Sequence, residues 1–136
     1  MVGDALYDLN AKITGQRVLP GEAPGDVRLE ISFQGTGKIF GVDSIDSGTY
    51  VASMRGPGLL FGEGRGLSLT EEGDAVTWHG HGIGRPTGKG MAAHWAGTIY
   101  YSTPSPKLAR LNAVSANFEW DVDEHGNAHG KTSEWK

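Results

Sequence analysis

A chain of 136 residues fits one domain and is too short for two ordinary ones, and its charge balance of 12 Lys and Arg against 16 Asp and Glu, net −4, contains no basic run. That balance argues against a nucleic-acid partner, because phosphate binding needs a positive stripe that displaces counterions. The absence of cysteine removes disulfides, thiolate catalysis and zinc–cysteine sites. No apolar stretch approaches the ~18 residues that cross a bilayer. The opening MVGDALYDLN lacks a basic region followed by an apolar run, which predicts no secretory signal and a cytoplasmic location.

The chain carries 22 glycines together with four Trp, four Tyr and four Phe. Disordered chains lack the aromatics that build a core, so these glycines belong inside folded structure.

In chain order, strand-like runs occur at KITGQRVL (12–19), VRLEISFQ (27–34), KIFGVDSI (38–45), TYVASM (49–54), LLFGEGRGLSL (59–69), AVTWHGHGIGR (75–85), MAAHWAGTIYYST (91–103), ANFEWDVD (116–123) and HGKTSEW (129–135). The clearest is 27–34, where Val27, Leu29, Ile31 and Phe33 share one face and Arg28, Glu30, Ser32 and Gln34 the other. Turn signals separate the runs: PGEAPGD, QGTG, DSG, RGPG, TEEGD, PTGKG and EHGN. PSPKLARLN (104–112) is the one stretch with helical character, one or two turns long. Short links make neighbouring strands pair. The expectation is therefore all-β: an antiparallel up-and-down meander over 1–136, closed into a small barrel of about eight strands, with at most one short helix. Trp135, next to the C-terminus, is expected to pin the last strand and close the barrel.

The candidate site lies on three central runs. If TEEGD and PTGKG are both five-residue loops, Glu63 pairs with His81 and Arg65 with His79, while His81 faces Trp95 and Thr77 faces Ile99. One face of this patch then carries Phe61, Glu63, Arg65, His79, His81, Arg85, Trp95 and Tyr101. The other is a trough that includes Gly62, Gly64, Gly66, Gly80, Gly82 and Gly84. The large apolar groups favour the first face as the barrel interior. That would place Glu63, Arg65, His79 and His81 in an apolar wall, where buried charge must be paired or functional. The outward glycine face would then pack against a second copy or the loop at 107–112. The opposite assignment, with glycines inward, hollows a cavity and leaves the charged face in solvent. A slip of one residue exchanges the two.

Within the patch, Glu63 and His81 read as a catalytic acid/base pair, the carboxylate holding one imidazole tautomer. Phe61, Arg65, His79, Arg85, Trp95 and Tyr101 read as ligand-binding, with the arginines suited to a carboxylate fork. The alternative for each polar pair is a cross-strand charge ladder. His79 and His81 have a spacing used by β-barrel metal sites, with Glu63 as the nearest third donor. The later glutamate and histidine of metal-binding cupins are absent, so neither a metal nor another cofactor is expected. GEGRG and GHGIG sit inside strands, without the helix N-terminus a dinucleotide loop requires.

The layout of Gly-punctuated strands, with GEGRGLSLTEEGDAVTWHGHGIGR followed by GTIYYST, resembles the barrel of allene oxide cyclases and of uncharacterised small bacterial proteins, and calycin barrels more generally. The resemblance implies an eight-stranded barrel, dimers or trimers, and an apolar cavity. Three functions follow as expectations. The first is a binding protein for a small, largely apolar ligand with room for a carboxylate. The second is a cofactor-free isomerase or cyclase, and the third an oligomeric interaction protein with a filled core. Whether the chain is an enzyme stays open at the level of sequence.

Overall fold

The computed structural model describes residues 2–136. Eight antiparallel strands follow one another around a closed barrel: β1 (Val2–Val18), β2 (Arg28–Ile39), β3 (Val42–Gly56), β4 (Leu59–Thr70), β5 (Ala75–Pro86), β6 (Ala93–Ser102), β7 (Ala116–Val122) and β8 (Asn127–Trp135). Each strand pairs with its sequence neighbours. β8 returns to β1, where Leu9 faces Gly130 and Ala11 faces Ala128, so no sheet edge is left. The backbone N–H of Trp135 donates to the Ser115 carbonyl, tying down the last strand, while its indole stays exposed.

Two expectations at the start of the chain need correction. β1 begins ten residues before the expected run at 12–19. The run at 38–45 is not one strand: it contains the hairpin turn between β2 and β3. Phe40 and Gly41 both have positive φ, 49° and 76°, the backbone of a two-residue turn whose twist matches its strands. QGTG and DSG, read as turns, lie within β2 and β3. Gly48 of DSG is held against the ring of Phe33, so its lack of a side chain makes room inside the barrel.

The interior of an eight-stranded barrel is just wide enough for side chains to fill it. Here Phe33, Trp78, Trp95 and Trp120 occupy the middle, Phe33 and Trp120 with ring centroids 4.7 Å apart. One end is plugged. After β6 the chain crosses that end, and its single 3-10 turn (Ala109–Ala113) buries Leu111 completely. Asn112 holds the crossing in place through paired bonds to the Thr103 backbone, 2.8 and 2.9 Å. The segment expected to carry helical character thus forms one tight turn, serving as a stopper. The other end is open.

Candidate functional site

The register decides which side chains meet. β4 and β5 pair as TEEGD predicts: Leu69 faces Ala75, Glu63 faces His81 and Arg65 faces His79. β5 and β6 do not follow PTGKG. Pro86 pairs with Ala93, so the loop spans 87–92 and has six residues. His81 faces Thr98 and Thr77 faces Ser102, an offset of three from the expected register. Because side chains alternate, an odd offset turns β6 over. Trp95 and Tyr101 then join the glycine row.

That row is the interior. Gly62, Gly64, Gly80, Gly82 and Gly84 are buried, as are Trp95 and Tyr101, at 4% and 6% exposure. Glu63, Arg65, His79, His81 and Arg85 project from the outer wall with Phe61. The inward placement of these polar groups is therefore corrected. The structure keeps Glu63, His79 and His81 together but separates them from Trp95 and Tyr101 by the thickness of the sheet. The physical reason is volume: Trp78, Trp95 and Trp120 lie against Gly66, Gly84 and Gly130, and side chains there would collide with the indoles. Glycines on the inner face also remove the basis for a glycine-lined contact between copies.

Two apolar spaces remain inside. The central cavity measures about 90 Å³ and is walled by Phe33, Trp78, Trp120 and their neighbours. At the open end lies a cup of about 300 Å³, lined by Leu29, Met54, Leu60, Met91 and Trp95 among others, with Tyr50 at its floor. Tyr50 and Trp95, in edge contact with centroids 5.7 Å apart, border both spaces. Small-molecule sites typically span ~300–1,000 Å³, so the cup is large enough and the central cavity is not. The Tyr50 hydroxyl accepts a 3.4 Å bond from the Trp120 indole, and burial pushes its pKa up to about 12. It therefore stays protonated at neutral pH. Of the cup's walls, sequence reasoning found only Trp95. Leu29, Met54, Leu60 and Met91 come from four separate segments, and the signal was no more than their position near strand ends.

Four cationic residues, Arg28, Arg55, Arg85 and Lys89, neighbour the cup's lining in sequence, Arg85 from the outer face of its strand. Among the described residues none of the four has a carboxylate within salt-bridge distance. The Arg55 guanidinium sits 5.4 Å above the Phe61 ring.

A second polar feature, missed in the sequence, is buried at the plugged end. Asp46 is 1% exposed and accepts hydrogen bonds from Tyr7, Ser68 (2.5 Å) and Ser44 (3.0 Å). Among the described residues it forms no salt bridge, and desolvation raises its pKa to about 6. Its only sequence signal is an aspartate on the inward parity of β3.

On the outer wall, His79 Nε2 lies 3.3 Å from Glu63 Oε1, and the His79 and His81 rings meet edge to face with centroids 4.8 Å apart. Elsewhere outside, His94 is 2.6 Å from Asp121 and His129 is 3.0 Å from Asp8.

No protein-family model matches the sequence, and no curated protein matches it. Solved structures do. A protein of unknown function from Clostridium acetobutylicum superposes with a TM-score of 0.82 at 12% identity, covering 96% of both chains. A β-barrel-like protein from Acinetobacter baumannii gives 0.80 at 17% identity, over 98% of this chain and 94% of that one. An enzyme from Penicillium herquei gives 0.66 at 14% identity, over 98% and 96%. What they share is the fold. The allene oxide cyclase and calycin resemblance is thus supported as far as an eight-stranded barrel.

Proposed function

We propose that this barrel binds one small, largely apolar molecule in the cup at its open end, with an anionic group of that molecule, such as a carboxylate, held at a rim formed by those four cations. The observation that carries this reading is the cup itself: an apolar recess of about 300 Å³, whose lining residues are neighbours in sequence of four cations that, among the described residues, have no carboxylate within salt-bridge distance. Exposed apolar concavities of this kind mark binding sites. Burying an apolar body there gains roughly 25 cal/mol per Å² removed from water. An anion at the rim gains charge-assisted hydrogen bonds, bidentate where it meets arginine. In this reading Arg85 would reach the anionic group from the outer face at the end of its strand, and Trp95 is part of the cup's wall.

A cofactor-free cyclase or isomerase, the activity suggested by the resemblance to allene oxide cyclases, would use the same cup. Its proton donor would be Tyr50, because Glu63 and His81 lie on the opposite side of the sheet. The Penicillium relative is called an enzyme, but the cup's lining supports binding more directly than proton transfer.

The test is fluorescence titration with anilinonaphthalene sulfonate, an aromatic probe bearing one anionic group. The wild-type protein is expected to give saturable enhancement at one site per chain, and Leu60→Arg to abolish it while the fold survives. Enhancement that persists in Leu60→Arg, or none in the wild type, would sink the cup as the site and favour a filled-core interaction protein.

A further inference from the structure

We infer that Glu63, His79 and His81 form a binding site for one divalent transition-metal ion, zinc best matching the donor set, on the outer wall of the barrel. The site is independent of the cup and reverses the expectation of no metal drawn from the sequence. That expectation rested on missing cupin ligands, whereas here all three donors come from one hairpin.

The geometry starts from parity. His79 and His81, two apart on β5, emerge on the same face. The observed register places Glu63 directly across from His81, so the carboxylate lies diagonal to His79. One donor atom from each residue lies within 4.8 Å of the other two. Around a metal with bonds of ~2.0–2.2 Å, neighbouring donors sit about 3.3 Å apart. The Glu63–His79 pair already has that separation, at 3.3 Å. Drawing in His81 takes a change in side-chain torsions only. Glu63 and His79 side chains are half exposed and free to adjust. The backbone beneath them is fixed, because β4 and β5 each have a bonded strand on either side.

Local chemistry agrees. Glu63 bonds to His79, and among the described residues no arginine forms a salt bridge with it, although Arg65 lies two residues along its own strand. The Phe61 ring lies 6.2 Å from that of His81 and covers one side of the cluster. Two imidazoles and one carboxylate suit zinc and neighbouring divalent ions. Three protein donors leave the remaining positions facing solvent, as in open zinc sites. The other outer-wall histidines, His94 and His129, face Asp121 from its two neighbouring strands, and among the described residues they do not form a cluster of three close donors.

The experiment is calorimetric titration of the chelator-treated full-length protein with Zn²⁺, repeated with Co²⁺ followed by visible absorption. One equivalent is expected to bind with an intense Co²⁺ spectrum. Glu63→Gln and His81→Ala should each weaken binding about tenfold or more, since even outer-shell losses cost that much. His79→Ala combined with His81→Ala should remove the site. His94→Ala combined with His129→Ala should leave it unchanged. A second readout needs no variant: substoichiometric Co²⁺ in the wild type should shift or broaden imidazole NMR signals of His79 and His81 before those of the other histidines. No binding, binding that survives the 79/81 double variant, or paramagnetic effects spread evenly over all five histidines would overturn the assignment.

Discussion

The indole of Trp95 lies across Gly84, its cross-strand partner: a methyl group built on that glycine would come 2.8 Å from three ring atoms. The same ring approaches Gly62 on the next strand, where an added methyl would meet it at 2.6 Å. Trp95 therefore needs two bare positions, and they are what place its strand's inner face. Gly84→Val is expected to destabilise by about 1–3 kcal/mol or more through overpacking. Trp95→Ala should cost about 3–5 kcal/mol through the cavity it leaves. Gly84→Val combined with Trp95→Ala should cost less than the sum of the two single changes, because they share one contact. Denaturant midpoints for the four proteins measure this, and strict additivity would show that the ring and the glycine are not coupled.

Leu111 stoppers the plugged end and has no exposed surface. Leu111→Ala should lower stability by about 2–5 kcal/mol. Hydrogen exchange should rise first at that end of β1 and β6, while the open end stays protected. Arg110, a neighbour on the same turn, reaches Glu134 at 2.8 Å and Asp4 at 3.1 Å from an exposed position. Such exposed pairs contribute little to stability, so Arg110→Ala should change the midpoint little.

Asp46 makes stability depend on pH in an unusual direction. Its folded pKa, about 6, lies above the 3.8 of an unfolded aspartate because burial disfavours the charge. The folded state thus holds a proton that the unfolded state releases. The stability this confers is complete below about pH 4 and is lost as pH rises through about 6. The loss is on the order of 3 kcal/mol at 1.36 kcal/mol per pKa unit. Urea midpoints of the wild type and Asp46→Asn across pH 4 to 7.5 test it. The difference between the two curves should shift toward Asn between about pH 4 and 6 and level off above that, and parallel curves would show that Asp46 does not titrate in this window.

The cup and its rim make separable contributions to a ligand. Arg55→Glu combined with Arg85→Glu reverses two rim charges outside the apolar lining. Affinity for anilinonaphthalene sulfonate should fall about tenfold or more, one lost charge-assisted contact being worth about 1.5–3 kcal/mol. A neutral probe, phenylnaphthylamine, should bind as before. Equal losses for both probes would mean that the rim shapes the cup and does not read charge.

How much of this could be read from residues alone varies along the chain. TEEGD closes β4 onto β5 with the register its length implies, so Glu63 opposite His81 was legible, and with it the grouping on which the metal site depends. PTGKG misleads because two further residues, Met91 and Ala92, join the turn while Pro86 stays in the strand. The Phe40–Gly41 hairpin was hidden because phenylalanine at positive φ carries no turn signal, whereas Gly35, Gly37 and Gly48 carry a false one.

The sequence by itself determined an all-β chain, strands paired in order and a barrel that closes, because alternation and short links are local properties that leave few other arrangements. Which face of each strand lies inside was decided only in the tertiary structure. Period-two alternation labels two faces without naming the inner one, and the choice depends on whether eight strands together can enclose three indoles. The same holds for the cup and for Asp46. Their walls come from strands far apart in sequence, so neither exists until the barrel has closed around them.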